Sequence, residues 1–298
     1  MATMRAQFQR TLFPGIDLSI SKGFEEKEEQ YSMIMNVMDS DSAFEEDMTA
    51  AGVGLFVQTP EGVQAAEDQF LPGFNKRYTH DDFTQSIGFT HQMIRDGKVS
   101  FWNERGSDLG YSCRQTIEVL VADELNQGFT NVSGPDGKSL FATDHPNIRQ
   151  GTQSNILDPV ATIGVLSVRA ALTKFRRFFD HTGVRRIRLM PEYLVHPPEE
   201  EYNVLEILKS AGRPDTANRA DNVIKGALKP FTYDYLTDPK FWFVSATKSR
   251  HKLKVFFRER FHTTEFEDEK ARTNWVQAMF AMSHGFSDWL GWLGSNPV

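Results

Sequence analysis

Asp144 and His145 stand side by side in the sequence, with Ser139 and Ser154 close to them. A serine hydroxyl, an imidazole and a carboxylate can together form the nucleophilic relay of a hydrolase. No serine of the chain lies in a Gly-x-Ser-x-Gly elbow, however, and the residues around His145 are polar and interrupted by Pro146, which is typical of a turn. The sequence therefore favours a structural turn here and leaves a hydrolase using Asp144 and His145 as the weaker alternative.

Three other patterns that could bind a cofactor or a metal ion are each incomplete. The string Gly137-Lys138-Ser139 ends like a phosphate-binding loop, but Val132 stands where that loop needs its first glycine. Asp39-Ser40-Asp41 begins like a calcium loop, but Phe44 and Ala50 occupy positions that need glycine and glutamate. The histidines never fall at the i, i+4 spacing of a helical zinc site. We therefore predict no catalytic residue, no cofactor and no metal ligand.

The composition bounds the class of protein. The chain has 298 residues, a formal net charge of −7, 40% hydrophobic residues and 24% charged residues, which is the balance of an ordinary soluble protein. The single cysteine, Cys113, can form no internal disulfide, and no apolar run approaches the roughly 18 residues of a membrane span. Collagen-like, disulfide-rich and membrane-spanning classes are therefore excluded, and we expect no signal peptide and no membrane partner.

The negative charge lies at one end of the chain. Residues 1–100 contain 8 basic and 16 acidic side chains, a net of −8, so the other 198 residues together carry +1. The densest acidic stretch is 25–47, with nine acids and one lysine. Basic residues cluster at 169–188 and at 248–260, where phenylalanines stand among the arginines. This interleaving, with a pI near 5.7, favours subunit contacts or packing over direct recognition of nucleic acid.

The first hundred residues contain elements without a core of their own. Residues 1–50 show little apolar periodicity and predict an extended arm with a short helix at 31–37, followed by strand-like pieces from residue 53. Residues 63–83 are polar on both sides with a turn at Pro72-Gly73, which predicts a long hairpin. An isolated hairpin is only marginally stable in water, so this one must lie on another surface, as it would in an assembly subunit.

The rest of the chain predicts a mixed domain. Apolar residues at steps of three and four over 109–125 indicate an amphipathic helix that stops at Gly128. Residues 129–141 predict a strand, a turn and a strand, and Asp158-Pro159 is the expected start of a second helix over 159–179. The remaining predicted elements are a helix over 199–209 and strands at 240–246 and 275–286. The expected fold class is α+β.

The order of several segments is similar to that of a known protein family. The segments are QSIGFTHQMIRDGK, SLFATDHPN, RRIRLMPEYLVHPPEEEYNVLEIL, LTDPKFWFVSA and WVQAMFAMSHGFSDWLGWLG. In this order and spacing the chain resembles the major capsid proteins of tailed double-stranded DNA bacteriophages, which have the fold known from phage HK97, and among them the Mu-type major head subunits. An encapsulin-like nanocompartment shell protein has the same fold and is the alternative that the residues leave open.

The resemblance implies an HK97-like capsid fold in four parts. These are an N-terminal arm (1–54), an extended β-hairpin loop (55–98), a peripheral domain with a long spine helix (99–149 and 247–298) and a mixed α/β axial domain (150–246). The implied function is a non-enzymatic major capsid protein that self-assembles into hexamers and pentamers of an icosahedral shell. That shell encloses double-stranded DNA without sequence recognition. The implied partners are portal, scaffolding and decoration proteins, and the implied location is the virion capsid, assembled in the host cytoplasm.

Charge complementarity indicates which residues meet between subunits. We expect the acidic stretch to contact a basic cluster of an adjacent subunit, because oppositely charged patches set the register of an interface. Some relatives cross-link a lysine of the extended loop, and Lys76 is suitably placed for that role. The candidate intersubunit contacts are Glu25, Glu26, Glu28, Glu29, Glu45, Glu46, Asp47, Lys76, Arg77, Arg176, Arg177, Arg185 and Arg186.

Overall fold

The computed structural model describes residues 12–69, 71–96, 99–212 and 221–297, without the side chains of residues 99 and 100. The helices are α1 (Phe13–Glu25), α2 (Tyr31–Ile34), α3 (His91–Arg95), α4 (Val99–Asn126), α5 (Val165–Phe175) and α6 (Glu201–Lys209). The strands are β1 (Asn36–Asp39), β2 (Phe44–Ala51), β3 (Leu71–Thr79), β4 (Asp81–Thr90), β5 (His145–Pro146), β6 (Thr152–Gln153), β7 (Pro191–His196), β8 (Lys229–Thr232), β9 (Trp242–Ala246), β10 (Leu253–Asp268), β11 (Thr273–Phe286) and β12 (Trp292–Ser295). This is the α+β class expected from the sequence.

One four-stranded sheet is built around the long hairpin of β10 and β11. Its order is β1-β10-β11-β4, with β1 parallel to β10 and the other pairs antiparallel. Helix α4 packs against β11 and β4 and buries Ile117, Val121 and Leu125, which are the residues whose spacing predicted it. The helix ends at Asn126, two residues before the predicted stop at Gly128, but it begins earlier than predicted, at Val99.

A second four-stranded sheet, in the order β12-β9-β7-β8, forms the other half of the molecule. Strand β9 is buried along its whole length, and helix α6 packs against β8. Val121 of α4 and Val244 of β9 belong to the same apolar cluster, so the core runs without interruption between the two sheets. The C-terminal strand β12 pairs with β9, which ties the end of the chain into this core.

The N-terminal segment differs from the predicted extended arm. Residues 13–25 form helix α1, which crosses α4 and buries Ile16 and Ile20. The helices meet backbone to backbone, since a Cβ atom at Gly23 would fall 2.0 Å from the Ser107 carbonyl oxygen. Helix α2 confirms the first four residues of the short helix expected at 31–37, after which β1 begins. The helix over 13–25 was missed because its buried apolar face is very short and its binding surface lies far away in sequence.

The hairpin predicted over 63–83 is wrong. Residues 71–79 are one strand, β3, and its antiparallel partner is β2, with Asp47 opposite Lys76. Pro72 lies beside a register shift between these strands, where a residue without an N–H is tolerated. Gly73 marks a close approach rather than a turn, since a Cβ atom there would fall 2.6 Å from the Thr49 carbonyl oxygen. Between β2 and β3 the chain runs out as an extended loop, residues 52–69.

Two further predictions are partly right. The turn predicted within 129–141 forms without its flanking strands, and the helix predicted over 159–179 is shorter at both ends. The segment 129–141 turns through a hydrogen bond from the Gly134 N–H to the Lys138 carbonyl oxygen at 2.9 Å, but it forms no strands. Its ends meet through the rings of Phe129 and Phe141, whose centroids are 4.8 Å apart. Helix α5 begins after Gly164 and ends at Phe175, so it covers only the middle of the predicted 159–179.

Candidate assembly surfaces

His145 is sealed inside the fold. Its side chain is fully buried and contacts the Asp136 carboxylate at 2.7 Å and the side-chain oxygen of Asn155 at 3.2 Å. Asp144 instead forms an ion pair with Lys138 at 2.5 Å. The hydrolase alternative is therefore wrong, because no substrate reaches the His145 ring and its neighbour Asp144 belongs to a different pair.

The acidic residues after helix α1 are presented on the surface. Glu25, Glu26 and Glu28 are exposed, and they make no side-chain hydrogen bond or ion pair with any residue that the structure describes. Glu29 is different, because its carboxylate binds the Arg114 guanidinium at 3.1 Å. Three of the four predicted acids in this stretch are thus available to a neighbouring chain.

The second acidic group, on β2, is largely satisfied within the subunit. Glu45 accepts a hydrogen bond from the Ser40 hydroxyl at 2.6 Å, and Asp47 forms an ion pair with Lys254 at 2.5 Å. Burial acts to raise the pKa of Asp47, but the Lys254 ammonium and the Ser287 hydroxyl outweigh it and hold that pKa below its ordinary value. Glu46 is exposed. The ion pair of Asp47 fixes β2 onto the strand β10 that carries Lys254.

Lys76 and Arg77 lie on strand β3, inside the range 55–98 that the sequence assigned to an extended hairpin loop. The Lys76 ammonium donates to the Ser133 carbonyl oxygen at 2.6 Å, and burial lowers its pKa. The Arg77 guanidinium lies 3.6 Å from the centroid of the Phe44 ring. Both cations therefore contact their own subunit.

The basic candidates form two groups. Arg176 and Arg177 follow helix α5 and are exposed, and Arg177 borders a groove of about 660 Å³. Arg185 forms an ion pair with Asp180 at 2.8 Å, and Arg186 lies 5.2 Å from the ring centroid of a neighbouring phenylalanine. The structure does not join any of these four arginines to the predicted acids within one subunit, as far as the described residues go.

The extended loop exposes three consecutive large apolar side chains, and none of them was among the candidate contacts expected from the sequence. Relative exposures are 65% for Leu55, 104% for Phe56 and 70% for Val57. The strand-like character of these residues pointed to a paired strand, but residues 52–69 form none. The signal that could have identified the loop is an apolar run with no periodic partner, directly before a Pro-containing turn.

The base of the extended loop is held by charged side chains. The Asp68 carboxylate accepts a hydrogen bond from the Gly54 N–H at 2.6 Å and also binds the Arg149 guanidinium. Arg185 packs against Gly52, where a Cβ atom would fall 2.8 Å from a guanidinium nitrogen. The two ends of the loop are thus fastened to the body of the subunit while its apolar residues point away from it.

Among the described helices, none combines the length and apolar character required to cross a bilayer. Within the described ranges, no three His, Cys, Asp or Glu side chains come together in a way that could hold a metal ion.

Comparison with known proteins gives one family match. The sequence profile of the family described as phage capsid protein matches residues 75–293. No curated protein is significantly similar to the chain in sequence.

Solved capsid structures share the fold. A chain of the mature capsid of bacteriophage PhiM1 is 12% identical, with a TM-score of 0.59 over 88% of this chain and 84% of that one. A chain of the bacteriophage JBD30 capsid decorated with minor capsid protein trimers is 13% identical, with a TM-score of 0.58 over 71% and 92%. A virus-like particle from Pyrococcus furiosus is 10% identical, with a TM-score of 0.51 over 95% and 98%. These structural matches confirm the expected HK97-like capsid fold of the chain.

Proposed function

The chain belongs to the family of phage capsid proteins, and from that premise we propose that it self-assembles into hexamers and pentamers of an icosahedral shell around double-stranded DNA. As a capsid protein it is a structural component of the virion and not an enzyme.

The exposed apolar residues of the extended loop are the main support for the proposed self-assembly. Leu55, Phe56 and Val57 project from a segment that lacks secondary structure, and the described part of the subunit leaves them exposed. Exposed apolar patches mark interaction surfaces, and fully burying a side chain of this size contributes about 1.5–3 kcal/mol. We propose that each copy lays these three residues on an adjacent copy.

Charge pairing provides the register in the proposed assembly. Glu25, Glu26 and Glu28 are exposed, and so are Arg176 and Arg177, of which Arg177 borders the groove at α5. Each exposed pair contributes only about 0.2–1 kcal/mol, so we propose that these charges select the relative position of two copies while the apolar loop supplies the binding energy. Glu29, Glu45, Asp47 and Arg185 already have partners in their own subunit and have a secondary role.

We propose the same four-part division of the chain with one boundary changed, that between the extended loop and the peripheral domain. The peripheral domain is proposed to include α4 with the last strands, and the axial domain to be 150–246. Strand β4 pairs with β11 along its length, which supports counting residues 81–90 with the peripheral sheet rather than with the loop 55–98. Helix α1 packs on α4, which supports treating residues 13–25 as a docked part of the arm 1–54.

Partners beyond a second copy follow from the proposed shell. We propose a portal and a scaffolding protein as assembly partners, and decoration proteins on the outside; the JBD30 capsid carries minor capsid protein trimers.

The small net charge of +1 on residues 101–298 suits a shell that encloses DNA without binding it tightly. A nanocompartment shell is the alternative with this fold, and the family match favours the phage capsid. The content of purified particles, nucleic acid or protein, distinguishes the two.

The experiment compares the wild type with a variant whose loop is polar. Leu55→Ser, Phe56→Ser and Val57→Ser are combined, and assembly is followed by light scattering and negative-stain microscopy. We expect the wild type to form capsomers and shells and the triple variant to remain a folded small species. Val132→Ser, which changes a residue that is 66% exposed outside the loop, serves as the matched control and should assemble. Normal shells from the triple variant would overturn the proposal.

A further inference from the structure

Strand β4 forms a long edge of the sheet β1-β10-β11-β4. Within the described ranges, β11 is the only strand that pairs with it. Strand β4 has ten residues, whereas the strands at the other edges of the two four-stranded sheets, β1, β8 and β12, have four each. The outer N–H and C=O groups of so long an edge are a template on which a further strand can pair.

This edge lacks the features that normally prevent such pairing. Edge strands are commonly protected by lysine, by proline or by other charged side chains. Strand β8 has two of these features, Lys229 and Pro230. Residues 83–88 of β4 read FTQSIG and contain neither a charge nor a proline. The sequence of β4 therefore leaves its outer edge open to another strand.

A small apolar pocket lies against this edge strand, between the sheet and α4. Its volume is about 130 Å³. Thr84 and Gln85 of β4 contribute to its wall and are exposed, so the pocket reaches the surface at β4. An apolar cavity of about 150 Å³ admits benzene, so this pocket has room for one aromatic ring. The apolar part of its lining is Phe83, Leu109, Cys113, Ala278 and Phe280.

The extended loop contains a strand-like segment without a partner. Residues 55–58 read LFVQ, and aromatic and β-branched residues of this kind favour strands, but the segment forms no strand in its own subunit. Phe56 has a relative exposure of 104%, so its ring does not fill the pocket of its own chain. Residues 50–60 carry no charge. The segment can therefore pair with residues 83–88 without burying a charged group.

The alternation of side chains along a strand selects the ring that meets the pocket. Successive side chains of a strand point to opposite faces of its sheet. A strand added beside β4 therefore directs every second side chain toward α4, where the pocket lies. Phe56 is the only aromatic residue of the segment, and with its ring on that side, Leu55 and Val57 lie on the other face of the sheet. Strand addition of this kind combines main-chain hydrogen bonds with a pocket for an alternate side chain.

We propose that residues 55–58 of one copy add to the outer edge of β4 in an adjacent copy, as a fifth strand of its sheet, with the Phe56 ring inserted into the pocket beside Cys113. This inference rests on the proposed self-assembly and names the surface that receives the loop. Shells in which the loop lies on a different surface of the neighbour remain compatible with self-assembly but not with this docking.

Hydrogen exchange of the full-length chain tests the strand pairing. Subunits kept below the assembly concentration are compared with assembled shells. The outer N–H groups of 83–88 bond to water before pairing and to the loop after it, so we expect their exchange, and that of residues 55–58, to slow at least about tenfold in shells. The control is residues 242–246, because β9 already pairs with strands on both sides and is buried. Its exchange should be equally slow in both states.

Paired substitutions test the pocket. Phe56→Ala removes the ring and Ala278→Leu fills the pocket from its wall, so each should raise the concentration needed for assembly about tenfold. The two together should raise it no further than the stronger one alone, because both remove the same contact. Val57→Ala is the matched control in the loop. Since its side chain lies on the opposite face, its effect should add fully to that of Ala278→Leu.

The outcomes separate this docking from self-assembly itself. Wild-type shells in which residues 83–88 exchange as fast as in free subunits would overturn the docking and leave self-assembly standing. Fully additive effects of Phe56→Ala and Ala278→Leu would do the same. A wild-type chain that forms no shells would overturn both. The exchange measurement needs no substitution, so it decides the question even if Ala278→Leu does not fold.

Discussion

Gly110 of α4 lies in direct contact with Ile20 of α1: a Cβ atom at Gly110 would fall 2.0 Å from the Ile20 carbonyl oxygen and 2.8 Å from the Phe24 nitrogen. Both neighbours are backbone atoms, so Gly110→Ala must push the two helices apart. Overpacking of this kind costs about 1–3 kcal/mol. We expect urea denaturation to show a free energy of unfolding lower by that amount.

Gly15 provides the control for this substitution. It lies on the same α1 helix, and a Cβ atom there would meet nothing within 4 Å. Gly15→Ala should leave stability unchanged or raise it by about 0.5–1 kcal/mol, because alanine is the better helix former. Equal destabilisation by both substitutions would contradict the close docking of α1 on α4.

The ion pair of Asp47 and Lys254 makes part of the stability depend on pH. The pKa of Asp47 is held below its ordinary value of 3.8, so the pair stabilises the fold above about pH 4, and this contribution is lost as the pH falls through the lower, folded-state pKa. Both side chains are partly exposed, so we expect Asp47→Asn to cost only about 1 kcal/mol at pH 7. Denaturation curves at pH 7 and below pH 3.8 measure the difference, which should shrink in acid. A difference that grows in acid would contradict the assignment.

His145 is expected to matter for stability and not for chemistry. It stacks on the Trp289 ring at 4.5 Å between centroids and binds the Asp136 carboxylate, which is only 2% exposed. His145→Ala leaves that carboxylate buried without its partner and should cost about 3 kcal/mol in denaturation experiments. His262, whose side chain is 37% exposed, should cost less than about 0.5 kcal/mol when substituted in the same way. Similar small effects for both would contradict the buried network.

Charge reversal tests the proposed register between copies. Combining Arg176→Glu with Arg177→Glu should slow assembly and raise the concentration needed for it, with the effect largest at low salt because exposed pairs are screened. Adding Glu25→Lys and Glu26→Lys to the same chain should restore part of the loss. Lys240→Glu, which reverses an exposed charge that belongs to neither group, is the control. Light scattering across a salt series decides, and unchanged assembly and salt dependence in the arginine variant would contradict the pairing.

The sequence predicted those elements whose information is local. Helix α4 followed from its own apolar spacing, and strand β11 followed from the alternation over 275–286. The segment 63–83 was assigned to the wrong hairpin because Pro72-Gly73 resembles a turn in isolation. Only the partner strand β2, more than twenty residues earlier, shows that Gly73 instead marks a close approach to Thr49. Strand pairing is settled by tertiary contacts that a local pattern does not contain.

For the candidate contact residues, too, the sequence showed the local charge but not the distant partners. The acidic character of 25–47 was visible in the sequence, but which acids stay available was not, because Arg114 takes Glu29 and Lys254 takes Asp47 from remote positions. Glu118 of α4 gave no local signal at all, although its buried carboxylate accepts hydrogen bonds from two backbone N–H groups of the arm that lie almost ninety residues away in the chain. Contacts of this kind become predictable only when the arm has been placed on α4.

In the proposed shell, residues 55–57 of one copy are covered by another copy. Cryo-electron microscopy of particles assembled from the wild-type chain measures this directly. We expect shells with hexamers and pentamers in which Leu55, Phe56 and Val57 are buried against an adjacent subunit. A chain that stays monomeric under all assembly conditions, or shells in which these three side chains remain exposed to solvent, would contradict it.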